Sequence, residues 1–562
     1  MMSERELNKI MQMSDEHFKG MLAVMIAVIT TLTAIVAFLQ GDAASRDDRA
    51  NTESKRYALE AMGRQVSGDA RVNYDYYTAY QSWYELNALA LEATNNGDDS
   101  TARRYEKLRD QMVGVSPLLA SPYFDPAIEQ LDVARYEADT YLVEITELQE
   151  KFIAAANVKE AWDYKANTYI MYLTLLAVSI FLLGMAATIA RPSTRWIFLG
   201  TGLAIASLTV LLVVGLWLQP VEDLRKQGGA IHNYALGVGM AHQGQWEQAI
   251  GFYDKAIEAA PNYVNALAYR AEAYYTLGDY EQAVTGYEVA VRAGDQSAVT
   301  AGMLAYVYYL QGRFNEGVIM NQMALKAAPD ELWIQYDLGL SQLAAGQIDA
   351  AKTEYAKAMQ QTTRQVTEAA ASGARASSDL WWSLDDAALS LDELLTTIDT
   401  GEGAPSKDKI ANPDAVFEAG QVISTDLKSL SVGLEFTGKP PQGALTAKIS
   451  PFQFGTPVYD DQGDVVDFEI AETFSNVPEI AVLFDYEGMQ DGQEVIFKVY
   501  INGEEDPSWR IITQWDQGAS GSTEEFLSVA YSETFIFSPG YYTVEMYVDS
   551  HLAQSGNYKV TE

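Results

Sequence analysis

The sequence predicts a multidomain α + β membrane protein with three transmembrane helices, a coiled-coil-like helical stalk, an α-solenoid and a C-terminal all-β sandwich. Three observations support this fold class. Three uncharged apolar stretches are each long enough to cross a bilayer as a helix. A helix-pair pattern recurs every 34 residues between 230 and 365. Beyond about residue 444 the apolar residues alternate with period two, which is typical of strands.

The three apolar stretches cover residues 21–39, 168–190 and 196–218. The last two are separated by only five residues and therefore predict a membrane hairpin. A cleaved signal peptide is the alternative for the first stretch, but its apolar core is too long and the residues before it are mixed in charge. None of the stretches contains Asp, Glu, Lys, Arg or His, the residues that mark ion pathways, so transport is disfavoured.

The loop between the second and third stretches sets the predicted orientation. It contains Arg191 and Arg195, and short loops rich in arginine stay on the cytoplasmic side. We therefore expect a multi-pass protein of the cell membrane with residues 1–20 in the cytoplasm. Residues 42–167 and everything after Gln219 are expected to be extracytoplasmic.

Residues 42–167 are expected to form the helical stalk. Apolar residues recur at alternating steps of four and three, the seam of a coiled coil, at Ala134, Ala138, Tyr141, Ile145, Leu148, Phe152 and Ala155. A similar spacing predicts the partner seam at Leu59, Met62, Val66, Tyr76, Tyr80 and Trp83.

The layout of residues 15–218 resembles an uncharacterised family of bacterial three-pass membrane proteins. The likeness lies in one span, a long polar helical hairpin and two further spans, and in the texture of residues 74–83 and 191–196. It contains no catalytic motif and therefore implies no activity.

The repeats are marked by four glycines in polar turns, each followed five residues later by a small residue. The glycines are Gly244, Gly278, Gly312 and Gly346, and the small residues are Ala249, Ala283, Gly317 and Ala351. Residues 230–365 resemble four tetratricopeptide repeats, which implies stacked helix pairs and a binding scaffold. The third repeat departs from the family pattern at Gly317 and Asn321, so we expect looser packing there.

The resemblance also implies a partner-binding groove along the first helix of each repeat. The positions that line this groove in the family correspond here to Tyr234, Glu272, Tyr275, Tyr306, Tyr309, Trp333 and Tyr336. Tyrosine and tryptophan are enriched at interfaces, so the groove is expected to bind protein. The Lys and Asn residues with which the family clamps chaperone tails are absent. As an alternative, these rings pack against the chain's own stalk, capping helix or β domain.

Residues 366–432 are expected to be capping helices and a linker, because a solenoid needs a terminal cap. Residues 444–562 read as a β sandwich, with strand patterns such as 495–501, 535–537 and 542–548 and turns at Asn502-Gly503 and Ser555-Gly556. The last hairpin resembles bacterial extracellular immunoglobulin-like modules, which implies adhesion or contact. From residue 401 onward the chain has eight Lys and Arg against twenty-seven Asp and Glu.

Composition excludes several functions. The net charge of −39 repels nucleic acid and anionic lipid headgroups. The chain has no cysteine, its four histidines are scattered, and no small-molecule motif is evident, so we expect no metal, cofactor or small-molecule substrate. The acidic turn from Asp460 to Asp464 is open to two interpretations, a calcium site or a solvated hairpin turn.

The sequence therefore predicts a non-enzymatic bacterial scaffold in the membrane that binds or organises proteins, including by homo-oligomerisation with copies of itself. Two alternatives stay open. The first is a docking subunit of a larger envelope enzyme or transport complex, and the second is an unrecognised hydrolase with its chemistry in acidic loops of the β domain.

Overall fold

A computed structural model describes residues 4–189, 191–460, 462–528 and 536–561. The chain divides into two compact units, residues 1–282 and residues 283–562, and each is described by itself.

The first unit begins with the apolar and stalk helices. These are α1 (Glu4–Tyr74), α2 (Gln81–Asn95), α3 (Asp99–Met112), α4 (Val133–Glu137), α5 (Val143–Thr188) and α6 (Pro192–Leu218). Single π-helical stretches, Asp75–Tyr80 and Ala138–Leu142, join α1 to α2 and α4 to α5. A small hairpin of β1 (Phe124–Asp125) and β2 (Gln130–Leu131) lies at the far end of the stalk segment.

Three helices, α1, α5 and α6, contain stretches long and apolar enough to cross a membrane. They pack through buried residues spaced seven apart, the period of a left-handed coiled coil: Leu22, Ile29, Val36 and Ala43 on α1, Leu176 and Leu183 on α5, and Leu199, Ala206 and Val213 on α6. The Ser179 hydroxyl donates a 2.6 Å hydrogen bond to the Gly202 carbonyl, where α5 and α6 approach closely. Helix α5 ends at Thr188, and Ala190, the last residue of the predicted second stretch, lies outside the described residues.

The two ends of this helix bundle carry aromatic and basic side chains. At one end Phe18 meets Trp196 edge to face at 5.7 Å, and Arg195 lies 5.1 Å from the Phe18 ring. At the other end Arg46 lies 4.8 Å from the Trp162 ring. The N-terminal segment and the 191–195 loop therefore share one end of the bundle, and the stalk leaves from the other.

The stalk seam on α1 differs from the predicted one. Leu59, Met62 and Val66 are 71%, 65% and 71% exposed, so their assignment to the seam is wrong. Small residues take their place, with Ala50 and Ala61 buried against α5 and Gly68 directly under the Tyr141 ring. A Cβ at Gly68 would lie 2.5 Å from Tyr141 Cγ, so the close approach of the two helices requires glycine there.

The predicted repeat helices are present. They are α7 (Ala230–His242), α8 (Trp246–Ala259), α9 (Val264–Thr276), α10 (Tyr280–Arg292), α11 (Ala298–Leu310), α12 (Phe314–Ala327), α13 (Leu332–Ala344) and α14 (Ile348–Ala371). Within the first unit α7 pairs with α8, and within the second unit α11 pairs with α12 and α13 pairs with α14. All four turn glycines have positive φ, between 70° and 78°, which explains the choice of glycine. The small residues five positions later are all buried.

The second unit continues with α15 (Ser378–Thr400) and α16 (Pro413–Val432). Their apolar faces share one core with the last two repeats. This core includes Tyr309, Leu340 and Tyr355 from the repeats, Leu384, Leu391 and Leu394 from α15, and Val416 and Leu427 from α16. These two helices pack against α13, whose buried residues include both polar and apolar ones.

The C-terminal β region has two sheets whose inner faces share one core. The strands are β3 (Lys448–Ile449), β4 (Gln453–Tyr459), β5 (Val465–Ile470), β6 (Thr473–Ser475), β7 (Glu479–Glu487), β8 (Glu494–Ile501), β9 (Glu504–Glu505), β10 (Ile511–Gln514), β11 (Ser520–Ser528), β12 (Gly540–Val548) and β13 (His551–Thr561). One sheet has the order β10-β8-β12-β13-β6 with β9 beside β8, and the other has β11-β7-β4-β5 with β3 beside β7. Among the strands that the structure describes, all pairs are antiparallel except β13 with β6.

Two local predictions in this region are wrong. Ser555 and Gly556 lie within β13, and the β12–β13 turn falls instead at Asp549 and Ser550, whose φ angles of 48° and 67° fit a type I′ turn. Ile536 and Phe537 are not in a strand, and Phe535 lies outside the described residues. The Asn502-Gly503 turn is confirmed, with φ of 51° and 88°.

The β region joins the cap through a buried ionic layer. Lys428 on α16 reaches Glu545 on β12 at 2.8 Å and Asp392 on α15 at 2.7 Å. Lys498 on β8 reaches Glu435, just beyond α16, at 2.8 Å. Since removal of one partner of a buried pair leaves an uncompensated charge, these contacts fix the cap and the β region to each other.

Candidate functional site

Three of the seven predicted groove residues are buried. Tyr234, Tyr309 and Tyr336 are only 3%, 3% and 2% exposed, so they offer no surface to a partner in this conformation. Tyr234 packs against other tyrosines of the first unit, and Tyr309 and Tyr336 belong to the core shared with α15 and α16. The alternative interpretation, packing against another part of the chain, describes Tyr309 and Tyr336, which pack with the capping helices. The ring partners of Tyr234, in contrast, belong to the repeat segment itself.

In the first unit, Tyr234 is connected to the stalk through Tyr263. Its ring lies 5.2 Å from that of Tyr263, whose hydroxyl donates a 2.8 Å hydrogen bond to Glu150 on α5. The Asn265 amide donates a second bond, of 2.7 Å, to the other oxygen of Glu150. Glu150 is 6% exposed, and this burial raises the pKa of its carboxyl although both hydrogen bonds oppose the rise.

Helix α7 lies along the same stalk helix. His232 contacts Glu147 at 3.0 Å, and His242 contacts Glu137, at the end of α4, at 2.8 Å. Between them, a Cβ on Gly239 would lie 2.7 Å from Val143, so glycine permits the close approach. The first helix of the first repeat is therefore docked on the stalk rather than open to solvent on that face.

The other four predicted residues keep some exposure. In the first unit, Tyr275 is half-buried beside Tyr280, with ring centroids 6.0 Å apart. Glu272 reaches solvent, yet the protein around it excludes enough water to raise the pKa of its carboxyl. In the second unit, Trp333 is half-buried over Gly302, and Tyr306 is half-buried and stacked on Tyr309 at 5.9 Å. Their role as partner contacts stays a prediction.

The second unit also holds a group of carboxylates that sequence reasoning missed. The carboxylate of Asp337 on α13 interacts electrostatically with that of Asp386 on α15. Glu393 lies two helical turns after Asp386 on the same helix. Burial raises the pKa of all three carboxyls, and raises that of Asp337 well above its usual range. The negative charge of Asp386 raises the pKa of Asp337 further, and the negative charge of Glu393 raises that of Asp386. We call Asp337, Asp386 and Glu393 the acidic cluster.

Asp337 is the most deeply buried member of the acidic cluster. It is 9% exposed, and among the described residues its carboxylate has no hydrogen-bond donor and no cation as a partner. Buried polar groups are normally paired, so an unpaired carboxylate is costly. A signal existed in the sequence: at the same place in the other three repeats stand Ala235, Tyr269 and Met303, so the acid interrupts an apolar position.

The acidic turn at 460–464 is stabilised from within. The Asp460 carboxylate accepts hydrogen bonds from the backbone N–H groups of Gln462 and Asp464, at 2.8 and 2.9 Å. These hydrogen bonds are those of a hairpin turn. Asp461, one of the carboxylates of the predicted calcium site, lies outside the described residues. Within the part of the chain that the structure describes, no group of three or more His, Asp or Glu side chains is arranged to hold a metal ion.

Comparison with known proteins supports the repeat assignment. The model of a tetratricopeptide repeat family matches residues 240–305. No curated protein matches the chain. The chain is similar to YrrB, a TPR protein with an unusual peptide-binding site, at 19% identity over 30% of this chain and 91% of that one, with a TM-score of 0.23.

Two other solved structures are similar at the same level. MamA from Desulfovibrio magneticus RS-1 is 19% identical over 28% of this chain and 85% of its own, with a TM-score of 0.24. The second TPR of Spaghetti (RPAP3), bound to an HSP90 peptide, is 23% identical over 18% and 96%, with a TM-score of 0.18. The chain thus contains a tetratricopeptide repeat segment, and such repeats mediate protein–protein interaction and scaffolding.

Proposed function

We propose that the protein is a membrane-anchored scaffold that recruits partner proteins on the extracytoplasmic side through its tetratricopeptide repeats. The observation that carries the proposal is the physical continuity of anchor and repeats within the first unit. Helix α5 runs from the apolar bundle into the stalk without a break, and the same helix receives the first repeat through Glu147 and Glu150.

The membrane part of the proposal rests on the exposed surface of the apolar bundle. Its outward residues are large and apolar, including Phe38, Phe181, Leu211 and Trp217, and water is a poor solvent for such a surface. The aromatic and basic side chains at its two ends suit the interfaces of a bilayer. The arginine-containing loop favours the cytoplasm for the end that holds Phe18 and Trp196.

Sidedness can be tested with single cysteines because the natural chain contains none. Cysteine replaces Ser67 in the stalk, Ser193 in the loop or Ser372 after the repeats, all exposed positions. We expect a membrane-impermeant maleimide to label Ser67→Cys and Ser372→Cys in intact cells, and Ser193→Cys only in opened cells. The reverse pattern would overturn the orientation, and extraction of the protein by alkaline carbonate would overturn the anchor.

Recruitment can be tested from the two faces of the repeats. A benzophenone is attached to Glu272→Cys on α9 or, as a matched control, to Glu258→Cys on α8; both glutamates are exposed. We expect illumination to cross-link a protein from position 272 and much less from 258. Equal products from both positions, or none from 272, would contradict a binding surface on the first helices. Several foreign proteins in fixed ratio would favour a docking subunit of a larger complex.

A further inference from the structure

The stalk has an apolar face that the chain itself leaves exposed. Leu59, Met62 and Val66 on α1 are 71%, 65% and 71% exposed, and Tyr77, in the π-helical stretch that follows, is 62% exposed. Successive members of this face are three or four residues apart, the spacing of one side of a helix. We call this face the outer stripe, and it consists of Leu59, Met62, Val66, Ala70, Asn73 and Tyr77, all of them exposed.

The outer stripe lies too far from the apolar bundle to be covered by lipid. The first apolar stretch ends at residue 39, and the twenty residues of helix from there to Leu59 span about 30 Å. Over that distance the same face of α1 is exposed and polar, with Ser45, Asp48, Thr52 and Lys55 leading to Leu59 in steps of three and four. A contiguous apolar face in water marks an interaction surface.

Gly63, beside the outer stripe, has no packing role within one chain. It lies in the interior of α1, where glycine destabilises a helix relative to alanine. A Cβ at Gly63 would meet no atom of the described residues within 4 Å, whereas Gly68, on the opposite face, is required by the Tyr141 ring. A second helix that packs closely on the outer stripe accounts for the glycine at position 63.

We propose that the outer stripe pairs with the outer stripe of a second copy of this chain, so that two stalks form a parallel coiled coil about a two-fold axis. This inference goes beyond the recruiting function and rests only on its membrane anchor. Two copies inserted in the same sense present the same face at the same height above the bilayer. The stripe can therefore pair with itself, as a two-fold interface requires.

The local charge favours a second copy at this place. Residues 55–91 contain four Lys and Arg and four Asp and Glu, so their net charge is zero within a chain of net charge −39. Two copies of this segment approach each other without the repulsion that acts between the acidic regions of the chain. A strongly basic or acidic foreign partner, in contrast, would find no attraction there.

Asn73 is suited to meet its own copy. Its amide both donates and accepts hydrogen bonds, so two Asn73 side chains related by a two-fold axis can bond to each other. A single asparagine within an apolar coiled-coil seam specifies the register and the number of strands, at a cost in stability. The polar residue in the outer stripe is thus consistent with a paired seam of defined register.

The first experiment uses the full chain in its native membranes with one cysteine introduced at a time. Val66→Cys and Tyr77→Cys lie on the outer stripe, and the matched control Gln65→Cys is an exposed position on the same turn as Val66 but off the stripe. We expect oxidation with copper phenanthroline to join two copies at least ten times faster through Val66→Cys and through Tyr77→Cys than through Gln65→Cys. Both stripe positions should react, because a parallel pair in register brings each residue close to its own copy.

The second experiment measures the mass of the full chain in detergent by light scattering. Leu59→Glu/Val66→Glu places charge on the outer stripe, and Gln65→Glu/Ser67→Glu adds the same charge to exposed positions beside it. We expect two copies per particle for the natural chain and the control, and one copy for the stripe variant, with association weakened at least tenfold. Circular dichroism checks the folding of the stripe variant, and the disulfide measurements decide the question if that variant unfolds.

Each other outcome would overturn the inference. Equal rates at positions 65 and 66 would show random collision, and reaction at only one of Val66→Cys and Tyr77→Cys would show a crossing point rather than a seam. A disulfide-free product or a product with a different protein would mean that a second copy does not occupy the stripe. Two copies retained in the stripe variant would assign the pairing to the apolar spans, and one copy in the natural chain would exclude pairing. The maleimide, carbonate and benzophenone tests do not depend on copy number, so the two proposals can fail separately.

Discussion

The first and fourth repeats both have their first helix covered by another part of their own unit, but by different chemistry. Helix α7 meets the stalk through polar and charged pairs, His232 with Glu147 and His242 with Glu137, and through a glycine contact. Helix α13 is enclosed by α15 and α16 in a continuous apolar core. Contacts of the first kind are weak individually, while a core of the second kind separates only on unfolding.

The two regions also treat a buried acid differently. Glu150 in the first unit receives two hydrogen bonds, from Tyr263 and Asn265, whereas Asp337 in the second unit receives none from the described residues. A buried acid whose carboxylate accepts hydrogen bonds stabilises the contact between the segments that it joins. A buried acid without a partner costs stability.

The largest expected effect is at the tyrosine that lies four residues after the small residue in the first and fourth repeats. Tyr253 and Tyr355 are both buried to 1% exposure or less, and replacement of either by alanine should cost about 3–5 kcal/mol in the free energy of unfolding of its own unit. Urea unfolding of the solubilised chain, followed by hydrogen exchange in each unit, measures the loss. A loss confined to one of the two variants would mean that the repeats are not packed equivalently.

The third repeat supplies the control for that prediction. Asn321 takes the place of the tyrosine, is fully buried, and both atoms of its amide lack a hydrogen-bond partner among the described residues. An unsatisfied buried polar group costs about 1–3 kcal/mol, so Asn321→Leu should leave stability unchanged or raise it. A large loss in this variant would show that the amide is paired through a contact such as a buried water.

The next prediction tests the contact between the stalk and the first two repeats separately from the packing of the capping helices. Glu150→Ala removes the acceptor of two buried hydrogen bonds and should cost about 1–3 kcal/mol, seen as faster hydrogen exchange in α7 and α9. Glu150→Gln retains an acceptor and should cost less. Exchange in α15 and α16 is the internal control, because those helices belong to the second unit. Unchanged hydrogen exchange in α7 would contradict the role of Glu150 in holding the repeats against the stalk.

A gain in stability is expected at Asp337. Its folded-state pKa lies above the unfolded one, so the folded state binds more protons and stability falls as pH rises from the unfolded pKa of about 4 toward the folded pKa. Asp337→Asn cannot ionise and should melt a few degrees higher than the natural chain at pH 8, with the difference shrinking toward pH 4. Melting curves at both pH values measure this, and a variant destabilised at pH 8 would show that the carboxylate has a stabilising partner.

The sequence predicted the repeated elements well because their pattern is local. The turn glycines need positive φ and the residues five positions later need to be small, and both requirements recur at a fixed period. The stalk seam was harder to predict, since a seam built on Ala50, Ala61 and Gly68 has no large apolar residue to reveal it. The Asp549-Ser550 turn was missed for a related reason, because it contains no glycine.

The candidate site depended on contacts that local patterns do not encode. That Tyr234 is buried near Glu150 follows from the docking of residues more than a hundred positions apart along the chain. That Tyr336 is buried follows from the return of α15 and α16 over α13. Only Asp337 left a trace in the sequence, as an acid at a place where the other repeats have Ala235, Tyr269 and Met303.

The smallest expected effect concerns the edge of the stalk contact. His242 and Glu137 are 40% and 25% exposed at the side chain, and a pair of this kind contributes about 0–1 kcal/mol, less at high salt. A double-mutant cycle with His242→Gln and Glu137→Gln isolates it, and this pair is preferable to His232 with Glu147 because Glu147 is shared with Lys151 at 2.6 Å. A coupling above about 1 kcal/mol would show that charge pairs rather than the buried Glu150 bonds hold the first repeat on the stalk.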